Sequence, residues 1–222
     1  MLVSQPIAVP LDPAARADLA AMAEDTIAKG SKSFAAAARL FDAETRRSAM
    51  MLYAWCRHCD DTIDDQVLGF ARRPLGSTAT GAERLALLEA ETLAALRGQP
   101  TSHPSFRAVA DVAARHGLPQ DLLLQHIEGY RMDVEEQHYA TITDTLSYCY
   151  HVAGVVGVMM SLVMGVEDET TLEILTNRLI HHAAETFAPL LLAGMVLAGM
   201  VLAGNSTASS ESTRPTNGEI EA

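Results

Sequence analysis

Four aspartates fall within six positions, Asp60, Asp61, Asp64 and Asp65, in the run Arg57-His58-Cys59-Asp60-Asp61-Thr62-Ile63-Asp64-Asp65. On a helix, Asp60 and Asp64 lie on one face, about 6 Å apart along the axis, and Asp61 and Asp65 form a second such pair. Like charges stacked in this way repel, so a helix selected for stability alone would avoid them. A divalent cation removes the conflict. Mg²⁺ takes one or two carboxylates, keeps several waters and completes its shell with phosphate oxygens. Helical spacing adds Tyr53 and Arg57 to Asp60 and Asp64 as one stripe, and a guanidinium suits phosphate through two parallel hydrogen bonds. The plain alternative is a solvated acidic helix end, in which Arg57 only relieves Asp60 and Asp61.

Two further segments carry residue types that fit such a ligand. Gly30-Ser31-Lys32-Ser33-Phe34 holds one of the chain's two lysines, and hydroxyls, a lysine and free N–H groups near a helix start can bind phosphate. Many helices begin with Ser and Lys, so this signal is weak alone. Tyr148-Cys149-Tyr150-His151-Val152-Ala153-Gly154-Val155-Val156-Gly157 joins polar rings to an apolar helix. Gly154 and Gly157 permit close approach of a helix or a hydrocarbon, and Met159, Met160 and Met164 add adaptable lining; core packing is the usual meaning of such a stripe. Cys56 and Cys59, with Cys149 and His151, lack the paired-ligand spacing of a zinc site. His181 and His182 with Glu185 read as an exposed helix face.

The elements that must position these residues read as helices nearly throughout, since Ala and Leu dominate and no strand region is convincing. Asp12-Pro13 starts a helix that Gly30 closes, and a second starts near Asp42 and runs through Tyr53, Arg57 and Asp60. Residues 69–81 read as a mobile loop. Helices follow from Leu85 to Gly98, from Pro104 to a stop at Gly117, from Pro119 through Gly129-Tyr130-Arg131-Met132-Asp133, and from Thr143 or Asp144 into the apolar stretch ending near Val166. Asp168 reads as the cap of a last helix reaching about Thr186. Residues 187–204 are an apolar low-complexity segment at the short limit for a membrane span, a candidate membrane contact. Residues 205–222 read as a disordered tail.

At 222 residues one domain is the default. A formal net charge of -12 argues against nucleic acid as a partner. Three cysteines and the lack of a signal-peptide pattern at the start imply a reducing cytoplasm.

The three ordered segments, Gly30 to Phe34, Tyr53 to Asp65 and Tyr148 to Gly157, closely resemble the squalene/phytoene synthase family, and within it the bacterial phytoene synthases, over about residues 20–166. The resemblance implies an all-α terpene-synthase fold with helices around an apolar cavity. It implies a prenyltransferase that joins two geranylgeranyl diphosphates head to head to phytoene, in carotenoid biosynthesis, with Mg²⁺ (or Mn²⁺ in its place) and no NADPH. It assigns Asp60 and Asp64 to the metal. Arg57 and Tyr148 join them as catalytic residues, and Ser31, Lys32, Ser33, Phe34, Tyr53 and Asp61 contact the diphosphate or cover the site. Val152, Ala153, Val156 and Gly157 line the hydrocarbon cavity. The implied location is the cytoplasm, in contact with the inner face of the membrane.

The family carries a second aspartate motif on a later helix, facing the first. In this chain the acids after Asp168 are Glu169, Glu173 and Glu185, then none until Glu211. The expectation is therefore a truncated or replaced C-terminal third over a helical domain of residues 12–186, with catalysis impaired. A non-catalytic, membrane-associated binder of prenyl diphosphate, or a gene remnant, is the alternative.

Overall fold

The computed structural model describes residues 10–68, 71 and 72, 79–168, 170–172, 174 and 178. Among them the chain is all-α apart from one short ribbon. The helices are α1 (Pro13–Gly30), α2 (Lys32–Ala38), α3 (Ala43–Ile63), α4 (Gly81–Leu96), α5 (Pro104–His116), α6 (Gln120–Val134), α7 (Ile142–Cys149) and α8 (Val155–Val163), with a π-helical turn, Tyr150–Gly154, joining the last two.

Local chemistry accounts for the boundaries. The carboxylate of Asp12 accepts from the N–H groups of Ala14 and Ala15, and Pro13 occupies the first helical position, where its missing N–H costs nothing. Asp42 caps α3 in the same way. Thr80 with Glu83 and Thr141 with Asp144 form reciprocal capping boxes at the starts of α4 and α7. Gly117, at φ 63°, takes the left-handed conformation that ends α5.

α3 is the axis of the bundle. It packs against α1, α4, α5, α6 and α8, and Met51, Leu52 and Trp55 are almost wholly buried against Leu88, Phe106, Val109, Ile127 and Met159. The indole N–H of Trp55 reaches the Thr92 hydroxyl at 3.4 Å, so the largest core side chain leaves no polar atom stranded. The run Ile142–Val163 is long and apolar enough to cross a membrane by length and composition. Here its Val155, Met159 and Val163 are buried in the bundle.

At its N-terminal end, α3 is tied to α1 and α5 by a buried charge cluster. Arg16 on α1 donates to Asp111 at 2.8 Å, Glu44 at 2.6 Å and the Ser48 hydroxyl at 2.9 Å. Asp111 also accepts from the Leu11 N–H and from Arg115. A guanidinium out of water is tolerated only with such full satisfaction of its donors.

Three expectations are corrected or extended. No strand was expected, yet β1 (Gln66–Val67) pairs antiparallel with β2 (Ala71–Arg72), in the register Gln66 to Arg72 and Val67 to Ala71. Left-handed residues at Asp65 (φ 54°) and Leu68 (φ 51°) fold the chain back too sharply for a propensity pattern to reveal. The helix placed at Thr143 or Asp144 begins at Ile142, because Thr141 rather than a later residue is its cap. The single helix expected from there to Val166 is interrupted by the π turn. Asp168 does cap a helical start, accepting from the N–H and hydroxyl of Thr171. The rest of that last helix with His181, His182 and Glu185, the apolar segment 187–204, the tail 205–222 and most of the loop 69–78 lie outside the described residues.

Replacing Asp111 by Ala leaves the buried Arg16 without its main counter-charge, and should lower unfolding free energy by about 3–5 kcal/mol, measured by urea denaturation.

Candidate active site

The acidic run occupies the last turn of α3 and the residues that follow it. A helix carries partial negative charge at this end, and no basic residue lies in the last turn. Four carboxylates therefore meet both one another and the helix dipole. The structure relieves them unequally. Asp61, nearly buried, accepts from Arg57 Nε at 3.1 Å and Nη2 at 2.8 Å on Oδ1, and from the Leu68 N–H at 2.7 Å on Oδ2. Both oxygens are thus engaged within the protein. Asp61 orients Arg57 and fastens the turn into the ribbon, a role other than the direct substrate contact the resemblance assigns it.

Asp60 is half-exposed, and its Oδ2 lies 3.8 Å from Arg57 Nη1. Its Oδ1 accepts from the Tyr130 hydroxyl at 2.6 Å. Burial raises the carboxyl above the ordinary aspartate value, opposed by Tyr130 and Arg57 and reinforced by the charges of Asp64 and Asp61. Asp64 is the exposed C-cap of α3, its N–H bonded to the Asp60 carbonyl at 2.9 Å.

α6 faces this end of α3 with a polar stripe, His126, Tyr130 and Asp133, spaced four and three residues apart. Asp133 is raised mainly by burial and further by the charge of Asp64, against the hydroxyl of Tyr148, which donates to it. Tyr148 keeps its proton because of burial first and that hydrogen bond second. Asp64, Asp133 and Tyr148 thereby form a second polar group beside Asp60. None of the three stripe residues, His126, Tyr130 and Asp133, is among the site residues expected from the sequence. The signal of the stripe is the i, i+4, i+7 spacing of polar residues on a helix whose buried positions besides His126 and Tyr130 are Leu123, Ile127, Gly129 and Met132.

His126 Nδ1 lies 3.2 Å from the His151 carbonyl, which can only accept, so this nitrogen carries the ring proton; Nε2, 3.1 Å from the Tyr130 hydroxyl, is then a second acceptor beside Asp60 Oδ1, which lies closer and takes the hydroxyl proton. His151 in turn contacts the Gln125 carbonyl at 2.9 Å, and Tyr150 donates to the Gln125 side chain at 2.7 Å. These bonds draw the π turn onto α6. Gly129 permits the approach, since a Cβ there would sit 2.9 Å from Val152 Cγ1 and 3.2 Å from the His151 carbonyl carbon. Single π turns inside α-helices commonly mark functional segments.

Along the same face of α3, towards its N-terminal end, an apolar cavity of about 210 Å³ opens between α1, α2, α3 and α8, with Phe34, Phe41, Tyr53, Cys56, Val156 and Met160 among its walls. Phe34 and Tyr53 meet with ring centroids 5.8 Å apart. Cys56 lies four residues before Asp60, so the carboxylate stands one turn, about 6 Å, beyond the cavity lining. Small-molecule sites span about 300–1,000 Å³, so the cavity bounded by the described residues is smaller than a typical complete site.

The expected site residues divide accordingly. Phe34, Tyr53 and Val156 share the cavity; Arg57, Asp60 and Asp61 share one ion network; Asp64 and Tyr148 meet through Asp133. Val152 packs on Gly129, Ala153 is exposed, and Gly157 accepts from the Ser161 hydroxyl through its carbonyl. Ser31 uses its hydroxyl to cap α2, accepting from the Phe34 N–H, while Lys32 and Ser33 are exposed. The Cys56 and Cys59 thiols are pushed up by burial, which keeps them protonated and packed.

The squalene/phytoene synthase family profile matches residues 27–188 of this chain. The chain belongs to that family. It is 54% identical over 152 residues to a 15-cis-phytoene synthase of Pantoea ananas, covering 68% of this chain and 48% of that one. A 15-cis-phytoene synthase of a Paracoccus species is 49% identical over 156 residues, covering 70% and 50%. The chain thus spans about half the length of these relatives. Among solved structures, a dehydrosqualene synthase in complex with ligand superposes with a TM-score of 0.55 at 28% identity, over 67% of this chain and 48% of that one. Squalene synthase HpnC from Alicyclobacillus acidocaldarius superposes with a TM-score of 0.64 at 21% identity, over 76% and 60%, a likeness of fold.

The donor set fits a hard cation, since Asp60 and Asp64 offer carboxylate oxygens on one face of α3. Among the described residues no three His, Cys, Asp or Glu side chains converge into a closed cage. A cation here must draw further ligands from water or substrate, which is the habit of Mg²⁺.

Burial depresses His126 from 6.5 to about 4. Below about pH 6.5 the unfolded chain takes up a proton that the folded one refuses, so stability present above that pH is lost as pH falls towards 4. The full effect is roughly 3 kcal/mol. His116, also depressed by burial, adds to the loss in wild type and variant alike. Urea denaturation between pH 7 and 4.5 should show a shallower loss of stability in His126→Gln than in wild type.

Proposed function

We infer that this segment binds an allylic prenyl diphosphate for the head-to-head joining of two such molecules, with Asp60, Asp64 and Arg57 receiving the diphosphate and the apolar cavity receiving the hydrocarbon. The observation that carries this reading is the adjacency of the two parts: one helix, α3, supplies both a cavity wall at Tyr53 and Cys56 and, one turn on, the charged residues. The identity to phytoene synthases favours geranylgeranyl diphosphate as substrate and phytoene as product, without a reductant. Three unpaired thiols accord with a reducing cytoplasm.

Asp60 and Asp64 would hold Mg²⁺, which when bound supplies the positive charge that stabilises the departing diphosphate. Arg57 stands beside Asp60 with its orientation fixed by Asp61, so its guanidinium needs no reorganisation to meet phosphate oxygens. The allylic C–O bond breaks, and the double bond of the second molecule attacks the resulting carbon, with loss of a proton, to give a cyclopropylcarbinyl diphosphate. A second ionisation, rearrangement and proton loss complete the coupling. Phe34, Val156 and Met160 exclude water that would capture a carbocation. Tyr148, which keeps its proton, stands with Asp133 beside Asp64, where they can orient the polar end of the substrate.

The test is calorimetric binding of geranylgeranyl thiolodiphosphate, whose sulfur bridge resists ionisation. Binding should require Mg²⁺ and disappear with EDTA, and Asp60→Asn should weaken it ~100-fold, equivalent to about 2.7 kcal/mol. Val156→Phe should weaken the prenyl ligand while sparing Mg²⁺-dependent binding of inorganic pyrophosphate. Affinity indifferent to EDTA and to Asp60→Asn would overturn the reading.

A further inference from the structure

We propose that Tyr130 is a positioning residue that holds Asp60 as a single-oxygen ligand and thereby sets the preference of the site for Mg²⁺ over Ca²⁺. This rests on the reading of Asp60 as a metal-binding carboxylate.

The Tyr130 hydroxyl is not a loose surface group. Tyr130 is 8% exposed, and its single hydroxyl proton goes to Asp60 Oδ1 at 2.6 Å, the shortest of its contacts, while His126 Nε2 at 3.1 Å and the Cys56 carbonyl at 3.4 Å flank the oxygen as more distant, competing acceptors. Its ring meets that of His126 edge to face, with centroids 5.1 Å apart. His126 is fixed in turn by the His151 carbonyl and by the ring of Trp55, 5.4 Å away. The chain of contacts ends in the π turn and the core, so the hydroxyl cannot follow Asp60 if the carboxylate swings.

That fixes the division of labour between the two carboxylate oxygens. The shortest contact of the hydroxyl is with Oδ1, and a hydroxyl donating to an ionised carboxylate makes a strong, charge-assisted bond. Oδ2 is the oxygen left for a cation and for Arg57. A cation chelated by both oxygens must lie between them in the carboxylate plane and share Oδ1 with the hydroxyl proton, whereas ligation through Oδ2 alone leaves that bond intact. Mg²⁺ demands octahedral geometry with ligands at about 2.0–2.1 Å and is served by single carboxylate oxygens. Ca²⁺ takes about 6–8 oxygens at longer range and readily uses both oxygens of a carboxylate. A fixed donor on Oδ1 therefore discriminates against the larger ion, and Phe at this position, which keeps the ring and removes the hydroxyl, releases Asp60 to chelate.

The experiment measures binding of geranylgeranyl thiolodiphosphate to the full chain by calorimetry, in Mg²⁺ and in Ca²⁺, for wild type and Tyr130→Phe, with thermal midpoints recorded in parallel. The expected result is a ~10-fold fall in the ratio of Mg²⁺-supported to Ca²⁺-supported affinity in the variant. An unchanged ratio overturns the proposal, whether the two affinities hold or fall together, because a hydroxyl that serves only packing would move both ions alike. Wild type that binds with neither ion overturns the reading of the site and the proposal with it, an outcome distinct from an unchanged ratio.

Discussion

The interaction on which the site depends is the repulsion among four carboxylates placed at the negative end of a helix. α3 cannot avoid it by fraying, because Cys59 and Ile63 on the same turns are buried in the core. Each aspartate is therefore settled differently. Asp61 is neutralised inside the protein by Arg57 and a backbone N–H, Asp65 is taken out of the helix by its left-handed backbone, and Asp64 stands in solvent. Asp60, half-exposed, has one oxygen held by Tyr130 and the other 3.8 Å from Arg57. A cation acting there relieves a conflict that the fold has already confined to one residue.

α6 makes this division workable. Its stripe of His126, Tyr130 and Asp133 gives α3 a polar neighbour where a purely apolar helix would have forced Asp60 out or left it unsatisfied. The same helix receives the π turn, because Gly129 admits His151 and Val152 at a distance no side chain would allow. Widening the helix by one residue at Tyr150–Gly154 shifts the phase between Tyr148, beside Asp133, and Val156, which lines the cavity. In an uninterrupted α-helix, eight residues would set Tyr148 and Val156 about 80° apart around the axis. The wider π turn, which advances less than about 100° per residue, brings the two residues closer to one face.

Much of this was legible from residue types. The acidic run, its stripe with Arg57 and Tyr53, and the helix boundaries at Pro13, Asp42, Pro104 and Gly117 follow from short-range rules that tertiary context did not override. The roles of the individual aspartates were not legible. Spacing alone makes Asp60 with Asp64 and Asp61 with Asp65 equivalent pairs; only the position of the Leu68 N–H, set by two left-handed residues, distinguishes them. The contribution of α6 was hidden because His126 and Tyr130 gain meaning from partners 25 and 70 residues away. The π turn was hidden because the bonds that hold it come from another helix, not from its own composition.

The two ends of α3 show how a helix can carry such a conflict at all. At the N-terminal end, Arg16, Asp111, Glu44, Ser48 and Arg115 satisfy one another almost completely, with the ion pair closed from water. At the C-terminal end, some 16 residues and about 24 Å away, the charges are deliberately incomplete. Both arrangements bury ionised groups, but only the first closes its account of donors and acceptors within the chain. A helix locked at one end and along its length by Trp55, Met51 and Leu52 cannot rotate or slide to let Asp60 escape into solvent. The remaining freedom lies in the carboxylate torsion, and Tyr130 removes most of that. Rigidity at the far end and along the core is thus what turns an acidic cluster, ordinarily a solvated surface feature, into a site with one defined open oxygen.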